Sequence, residues 1–241
     1  MSYYIHPDVK TLEEIADNWW KDPGLSSRKS SRTNTPHDAQ ALTRLVSTSS
    51  LAVQDPYSEA VTKFVKWYRK GQTMDLQSMD NSQLENELWK FLADVDDIFF
   101  FSLLARKVEK PSGLGRLVRV RVMDGLPEDS WCGAYKREED SPYIRIWRSR
   151  RGGEPQSFEH LVYTLVHEMC HAYLDLFNDK RHRKHQEWVY DFKGHGEMFW
   201  VLLRFISRKI GQKGVLEIYA CRDRLIPTLP HGFHARMKDN K

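Results

Sequence analysis

Residues 157–177 read SFEHLVYTLVHEMCHAYLDLF, a stretch without Gly or Pro that opens on a helix-capping serine and sets Glu159 in the first turn. Leu161, Val162, Leu165, Val166, Met169, Ala172, Tyr173, Leu176 and Phe177 run round most of a helical circumference, which predicts a buried central helix. Into that apolar cylinder the chain inserts His167-Glu168-Met169-Cys170-His171, an H-E-x-x-H pattern. Histidines four apart share one helix face, so both imidazoles reach one cation while Glu168 projects beside them. Two imidazoles and a carboxylate are costly in such surroundings unless something compensates them, and a metal ion does. Cys170 fills a variable position of the pattern and is expected to be a small packing residue.

A catalytic zinc takes three protein ligands and leaves a fourth position open, where it lowers the pKa of water toward ~7 and polarises a substrate carbonyl. The third ligand has to come from elsewhere in the chain. A metzincin would carry Gly at position 174 and His at 177, and Leu174 and Phe177 exclude that arrangement. A gluzincin draws the ligand from a second helix, and the candidates there are Glu187, Asp191, His195 and Glu197. His195 is assigned. It stands between Gly194 and Gly196, which permit close backbone approach, and directly precedes the apolar-periodic segment EMFWVLLRFISRKI (197–210), stopped by Gly211. Glu197 is its nearest substitute. His182 and His185 lie in a polar run where nothing fixes an imidazole, and they are set aside as ligands.

HEMCHAY followed by GHGEMF resembles the SprT-like metalloprotease domain of the Spartan-type proteases, which degrade DNA–protein crosslinks. The upstream order is similar as well: a helix ending in FF-x-x-L (88–104), a strand-rich stretch with Cys132-Gly133-Ala134-Tyr135, then the metal helix. The resemblance covers residues 84–226. It implies a zincin-like (minigluzincin) core with a small antiparallel sheet packed on the metal-binding helix and an edge strand beside the cleft where peptide can add. It also implies His167, His171 and His195 as Zn²⁺ ligands and Glu168 as the catalytic glutamate. Two departures are visible: the stretch from His171 to His195 is longer than the family's, and the cysteine-rich zinc ribbon has no counterpart, since only Cys221 lies downstream.

Around this centre the chain reads as α+β with a helical N-terminal extension. Residues 1–81 form the extension: a helix at 11–21, a Ser/Thr/Pro-rich linker at 22–56 with a basic run at 26–32, and a helix at 57–71 whose Val61, Phe64, Val65 and Trp67 or Tyr68 dock on the main body. The metalloprotease domain occupies 82–226 and a tail 227–241. Inside the domain a long helix runs to about Leu104. The strict alternation of Leu117–Val122 marks a strand, and 132–136 and 143–147 make an antiparallel hairpin. Strands cluster instead of alternating with helices, hence α+β.

The chain has 241 residues and is 40% hydrophobic with eight tryptophans, ample for a core. No run of eighteen apolar residues occurs and the N-terminus lacks the pattern of a signal peptide, so an intracellular protein, nuclear or cytoplasmic and without a membrane partner, is expected. Cys132, Cys170 and Cys221 are odd in number and widely spaced, which fits a reducing compartment. Net charge is +4, with basic clusters at Arg148–Arg151 and Lys180–Lys184 flanking the motif and Trp147 and Trp188 beside them, a candidate DNA-facing rim. The expected activity is a zinc-dependent endopeptidase in which Glu168 takes a proton from the attacking water and returns it to the leaving amine, with Tyr190 and Tyr173 as candidate oxyanion partners. The alternatives are a non-catalytic nucleic-acid- or chromatin-binding module with a structural zinc, and a metal-dependent amidase.

Overall fold

The computed structural model describes residues 8–21, 37–124, 132–137, 141–150 and 152–211. The basic run at 26–32, Arg151, Cys221 and the tail at 227–241 lie outside the described residues. The first helix, α1 (Val9–Asp17), starts two residues earlier than its period predicts because Asp8 caps it, accepting the Thr11 N–H at 2.8 Å. Arg106 then ties α1 to the body through Asp17 (2.6 Å) and Glu13 (3.1 Å).

The linker expected over 22–56 is corrected for its described part. Residues 37–56 carry α2 (Ala39–Ser49) and a single turn, α3 (Leu51–Gln54). Asp38 accepts the Ala41 N–H at 2.7 Å, and Leu42 and Val46, one turn apart, are fully buried. The Ser/Thr content hid this stripe. Thr48 and Ser47 hydroxyls donate back to the Arg44 carbonyl, which lets polar residues sit on the outer face of the helix. Next come α4 (Glu59–Gly71), which buries Val61, Phe64 and Tyr68, and α5 (Asn81–Phe99), opened by an Asp80/Gln83 capping box. Leu12, Trp19, Leu42 and Phe64 share one buried cluster with the residues of the central helix, so the extension and the core pack as a single body.

Helix α5 ends five residues before the expected Leu104. Phe101 and Ser102 adopt φ of 60° and 59°, and the Asp96 carboxylate accepts the N–H groups of Leu104 (3.0 Å) and Ala105 (2.7 Å), folding the chain back on the helix end. A small exposed hairpin follows, β1 (Lys107–Lys110) with β2 (Gly113–Arg116), whose one buried side chain, Val108, is too weak a pattern to read in advance.

The main sheet has three strands, β3 (Arg119–Met123), β4 (Gly133–Arg137) and β5 (Pro142–Trp147), in the order β3-β5-β4. The β4–β5 hairpin is antiparallel as expected, but β3 pairs parallel to β5, so the sheet is mixed rather than antiparallel. Alternation reports which face a residue takes and carries no information on strand direction. Because β5 returns between β3 and β4, it runs with the former and against the latter. Val120, Val122, Ile144 and Ile146 face inward, and Glu85 of α5 accepts the Val122 N–H at 2.8 Å along the outer edge of β3.

Helix α6 (Phe158–Phe177) lies under the sheet, capped by Ser157, and packs on α2, α5, β4, β5 and the last helix. The chain then passes through a π-helical turn (Gln186–Tyr190) and one turn of helix, α7 (Asp191–Gly194), into α8 (Glu197–Gly211), which buries Met198, Phe199, Leu202, Leu203, Ile206 and Ile210. The architecture is mixed helix and strand with small sheets, consistent with α+β.

Candidate metal centre

His167 and His171, one turn apart on α6, meet His195 at the start of α8, and one ligand atom from each lies within 4.8 Å of the other two. Nε2 of His167 and Nε2 of His195 are 2.9 Å apart. The three ring centroids form a nearly equilateral triangle of 5.1, 4.9 and 4.9 Å. Phe199 floors it, with its ring 4.9, 4.2 and 4.7 Å from His167, His171 and His195. Among the described residues this is the one cluster of three or more His, Cys, Asp or Glu side chains with that convergence.

The donor set fits zinc. Tetrahedral coordination with Zn–N of about 2.0–2.1 Å places neighbouring nitrogens about 3.4 Å apart, inside the range spanned here. Burial pushes His171 down to about 3, aided by the neighbouring His195, and pushes His195 down to about 4. Both are therefore neutral imidazoles at pH 7, the form that binds a metal.

His195 reaches the triad through its two glycines, each for a different reason. Gly194 has φ of +85°, a conformation that L side chains resist. At Gly196 a Cβ would lie 2.2 Å from the Trp188 carbonyl carbon, so only glycine lets the start of α8 rest on the π-helical turn, where its N–H donates to the Val189 carbonyl at 3.0 Å. His182 and His185 do have partners, contrary to their reading as imidazoles that nothing holds, and those partners occupy them elsewhere. His182 stacks on Trp188 at 5.0 Å and 19°, and His185 Nδ1 contacts Asn178 Nδ2. Of the other third-ligand candidates, Glu187 is exposed and faces Lys184, and Asp191 is exposed.

Glu168 is buried at 5% exposure beside this triad, with Oε1 3.9 Å from His167 Nε2. Its Oε2 accepts the Tyr135 backbone N–H at 2.7 Å. Burial pushes the carboxyl up to about 8 against that hydrogen bond and Lys136, both of which pull it down. Tyr135 belongs to β4, the strand at the sheet edge, and Gly133 is what brings β4 so close to the helix. A Cβ there would stand 2.4 Å from Thr164 Cγ2 and 3.2 Å from Glu168 Cγ. C-G-A-Y is thus a strand with a missing side chain where it crosses the metal helix.

Neither tyrosine anticipated as an oxyanion partner presents its hydroxyl to the triad. Tyr173 is fully buried among Phe100 (5.0 Å) and Phe177 (5.5 Å), and the Tyr190 hydroxyl donates to Asp175 at 2.7 Å. No motif marks Asp175, the third polar residue of the 167, 171, 175 row on α6. Its sequence signal is a carboxylate at the i, i+4, i+8 spacing in line with the two histidines of a largely apolar helix.

Two of the flagged basic residues are spent inside the protein. The Arg148 guanidinium donates to the carbonyls of Leu76 (2.6 Å) and Met79 (2.7 Å) and to Asn81 Oδ1 (3.1 Å), tying β5 to the loop before α5. Lys180 pairs with Asp175 at 2.7 Å and is largely buried. Comparison with known proteins finds no matching family model, curated protein or solved structure.

Proposed function

We propose that this protein is a zinc-dependent endopeptidase of the SprT-like type, with His167, His171 and His195 holding the metal and Glu168 as general base. The observation that carries the reading is the convergence of three imidazoles on one side of a buried carboxylate whose other side faces a sheet edge. Zinc bound there supplies a Lewis acid that acidifies water and polarises the scissile carbonyl. The chain's own groups do the rest. Tyr135 N–H occupies Oε2 of Glu168, which leaves Oε1 to take the proton of the attacking water and deliver it to the leaving amine. Phe199 covers one side of all three imidazoles and keeps water from that side. β4 is an edge strand, and apart from the Tyr135 N–H, which Glu168 holds, its outward backbone groups are those against which an extended peptide can align.

The test is metal analysis of the purified protein beside a peptidase assay with and without single-stranded DNA. Glu168→Gln is expected to keep its zinc and lose about 10²-fold or more in turnover, the usual scale of general-base removal. Near-wild-type cleavage by metal-loaded Glu168→Gln would refute the mechanism, and absence of both zinc and activity in the wild type would remove the enzyme reading. In a module that binds zinc only for structure, Glu168 has no task beside the open position.

One observation favours nucleic acid as a partner, on a different surface from the one the sequence marked. Register places Arg119, Tyr143 and Lys136 in one cross-strand row and Arg121, Arg145 and Ala134 in the next, all on the outer face of the sheet. Arg121 lies over Tyr143 (4.3 Å) and Arg145 over Trp147 (5.2 Å), and none of the four cations joins an ion pair among the described residues. Tyr143 is buried beneath Arg121, so the cations suit phosphates and the half-buried Trp147 ring is the one that suits an unpaired base. Arg121→Ser with Arg145→Ser is expected to weaken single-strand binding and flatten its salt dependence, measured by fluorescence anisotropy; wild type without affinity at low salt would end the nucleic-acid reading.

A further inference from the structure

We infer that Asp175 is a positioning residue of the candidate metal centre, its buried carboxylate holding the edge strand that serves Glu168 and the turn that seats His195 against one helix. This rests on the metalloprotease reading and extends it to residues that no motif indicates.

The carboxylate stands one turn beyond His171 on the same face of α6 and accepts four donors from three directions. Oδ2 accepts the Tyr135 hydroxyl at 3.0 Å and faces Arg137 Nη1 at 3.5 Å, both from β4. Oδ1 accepts the Tyr190 hydroxyl at 2.7 Å from the π-helical turn and Lys180 Nζ at 2.7 Å from the segment that follows α6. Each tyrosine leads to one half of the centre. Tyr135 is held at both ends, its hydroxyl by Asp175 and its N–H by Glu168 two turns earlier, so two carboxylates on α6 set how β4 lies along the helix. Tyr190 anchors the turn whose Trp188 and Val189 backbone touches Gly196, the residue after His195. A shift of that turn moves the third imidazole.

A structural role alone is a poor account of this cluster. Taking one carboxylate and two cations out of water is expensive, and a well-packed apolar set of similar volume commonly stabilises a fold as well or better. What apolar packing lacks is direction. Short hydrogen bonds to one carboxylate fix where two hydroxyls sit, and site geometry depends on such supporting contacts.

The test uses the full chain and variants that delete one hydroxyl each, Tyr135→Phe and Tyr190→Phe, with Asp175→Asn as the hub. Zinc affinity is read by competition with a chromogenic chelator, independently of activity, and kcat and KM are read on a peptide. Tyr190→Phe is expected to weaken zinc binding about 10-fold, the lower end for groups that support a ligand. Tyr135→Phe is expected to keep zinc affinity and lower kcat with KM unchanged, and Asp175→Asn to do both. Because Asp175→Asn removes the buried negative charge that Lys180 and Arg137 face and can fail to fold, the two Phe variants carry the decision. Phe variants that melt earlier yet bind zinc and turn over as the wild type does would overturn the inference and leave Asp175 a structural residue. If the wild type binds zinc but cleaves no peptide, the protease reading fails while a Tyr190→Phe loss of zinc affinity still upholds the link to His195, and its absence overturns it.

Discussion

Gly133→Ala tests how tightly the edge strand has to lie on α6, the helix that carries His167 and His171. The added Cβ would meet Thr164 Cγ2 at 2.4 Å, with Arg145 O and Glu168 Cγ at 3.2 Å. Carbon atoms rest about 3.5–4.0 Å apart, so β4 has to lift by roughly 1 Å. Overpacking of this kind costs about 1–3 kcal/mol, which for a chain of this size lowers Tm by about 2–4 °C per kcal/mol. The same lift stretches the 2.7 Å Tyr135 N–H to Glu168 bond to roughly 3.7 Å, beyond hydrogen-bonding range, so peptidase activity falls as well. Thr164→Ser removes the offending methyl at a cost of about 0.8 kcal/mol for lost burial. The double variant is expected to be about as stable as Thr164→Ser alone and to recover part of the activity, giving a favourable coupling equal to the overpacking cost, roughly 1–3 kcal/mol. Urea unfolding of the four proteins measures it. Additivity within about 0.5 kcal/mol, with Gly133→Ala as active as wild type, would refute the close-approach argument.

His195→Ala is expected to lose zinc on dialysis, whereas His182→Ala and His185→Ala, whose rings are engaged by Trp188 and Asn178, keep it; atomic absorption decides, and equal loss from either of the latter would move the third ligand. Asp96→Ala takes the acceptor from the buried Leu104 N–H and the partly buried Ala105 N–H at about 1–3 kcal/mol each, and thermal unfolding is expected to drop by roughly 4–24 °C. Burial pushes the Asp175 carboxyl up, but Lys180, Arg137 and the hydroxyl bonds overcome it and hold the group below the ordinary carboxylate range. Its contribution is therefore complete above the unfolded value of about 3.9 and is lost as pH falls through the lower folded value, so Asp175→Asn flattens the acid limb of a stability–pH profile. An unchanged limb in the variant would place the acid sensitivity in other carboxylates.

Much of the centre was legible in local periodicity. A capped, apolar, Gly-free run is a helix whatever surrounds it, and a 3.6-residue repeat puts residues 167, 168 and 171 in fixed relation with no help from the rest of the chain. The start of α8 and the β4–β5 hairpin followed from equally local signals, alternation and stop residues. The Ser/Thr-rich stretch around α2 misled because composition averages over a stripe of two or three apolar positions, and packing decides whether such a stripe is used.

Tertiary structure decided what depends on partners distant in the chain. The parallel pairing of β3 with β5 is invisible to alternation, since a side chain's face does not depend on its neighbour's direction. Arg148 looked like a phosphate contact until the fold put three acceptors around it, and Arg121 and Arg145 became a surface only when the sheet placed them side by side. Asp175 acquired its meaning from Tyr135, forty residues earlier, and Tyr190, fifteen later. Helix geometry is written in interactions between residues three and four apart, whereas the use of a charge or a hydroxyl depends on which groups the closed chain delivers to it.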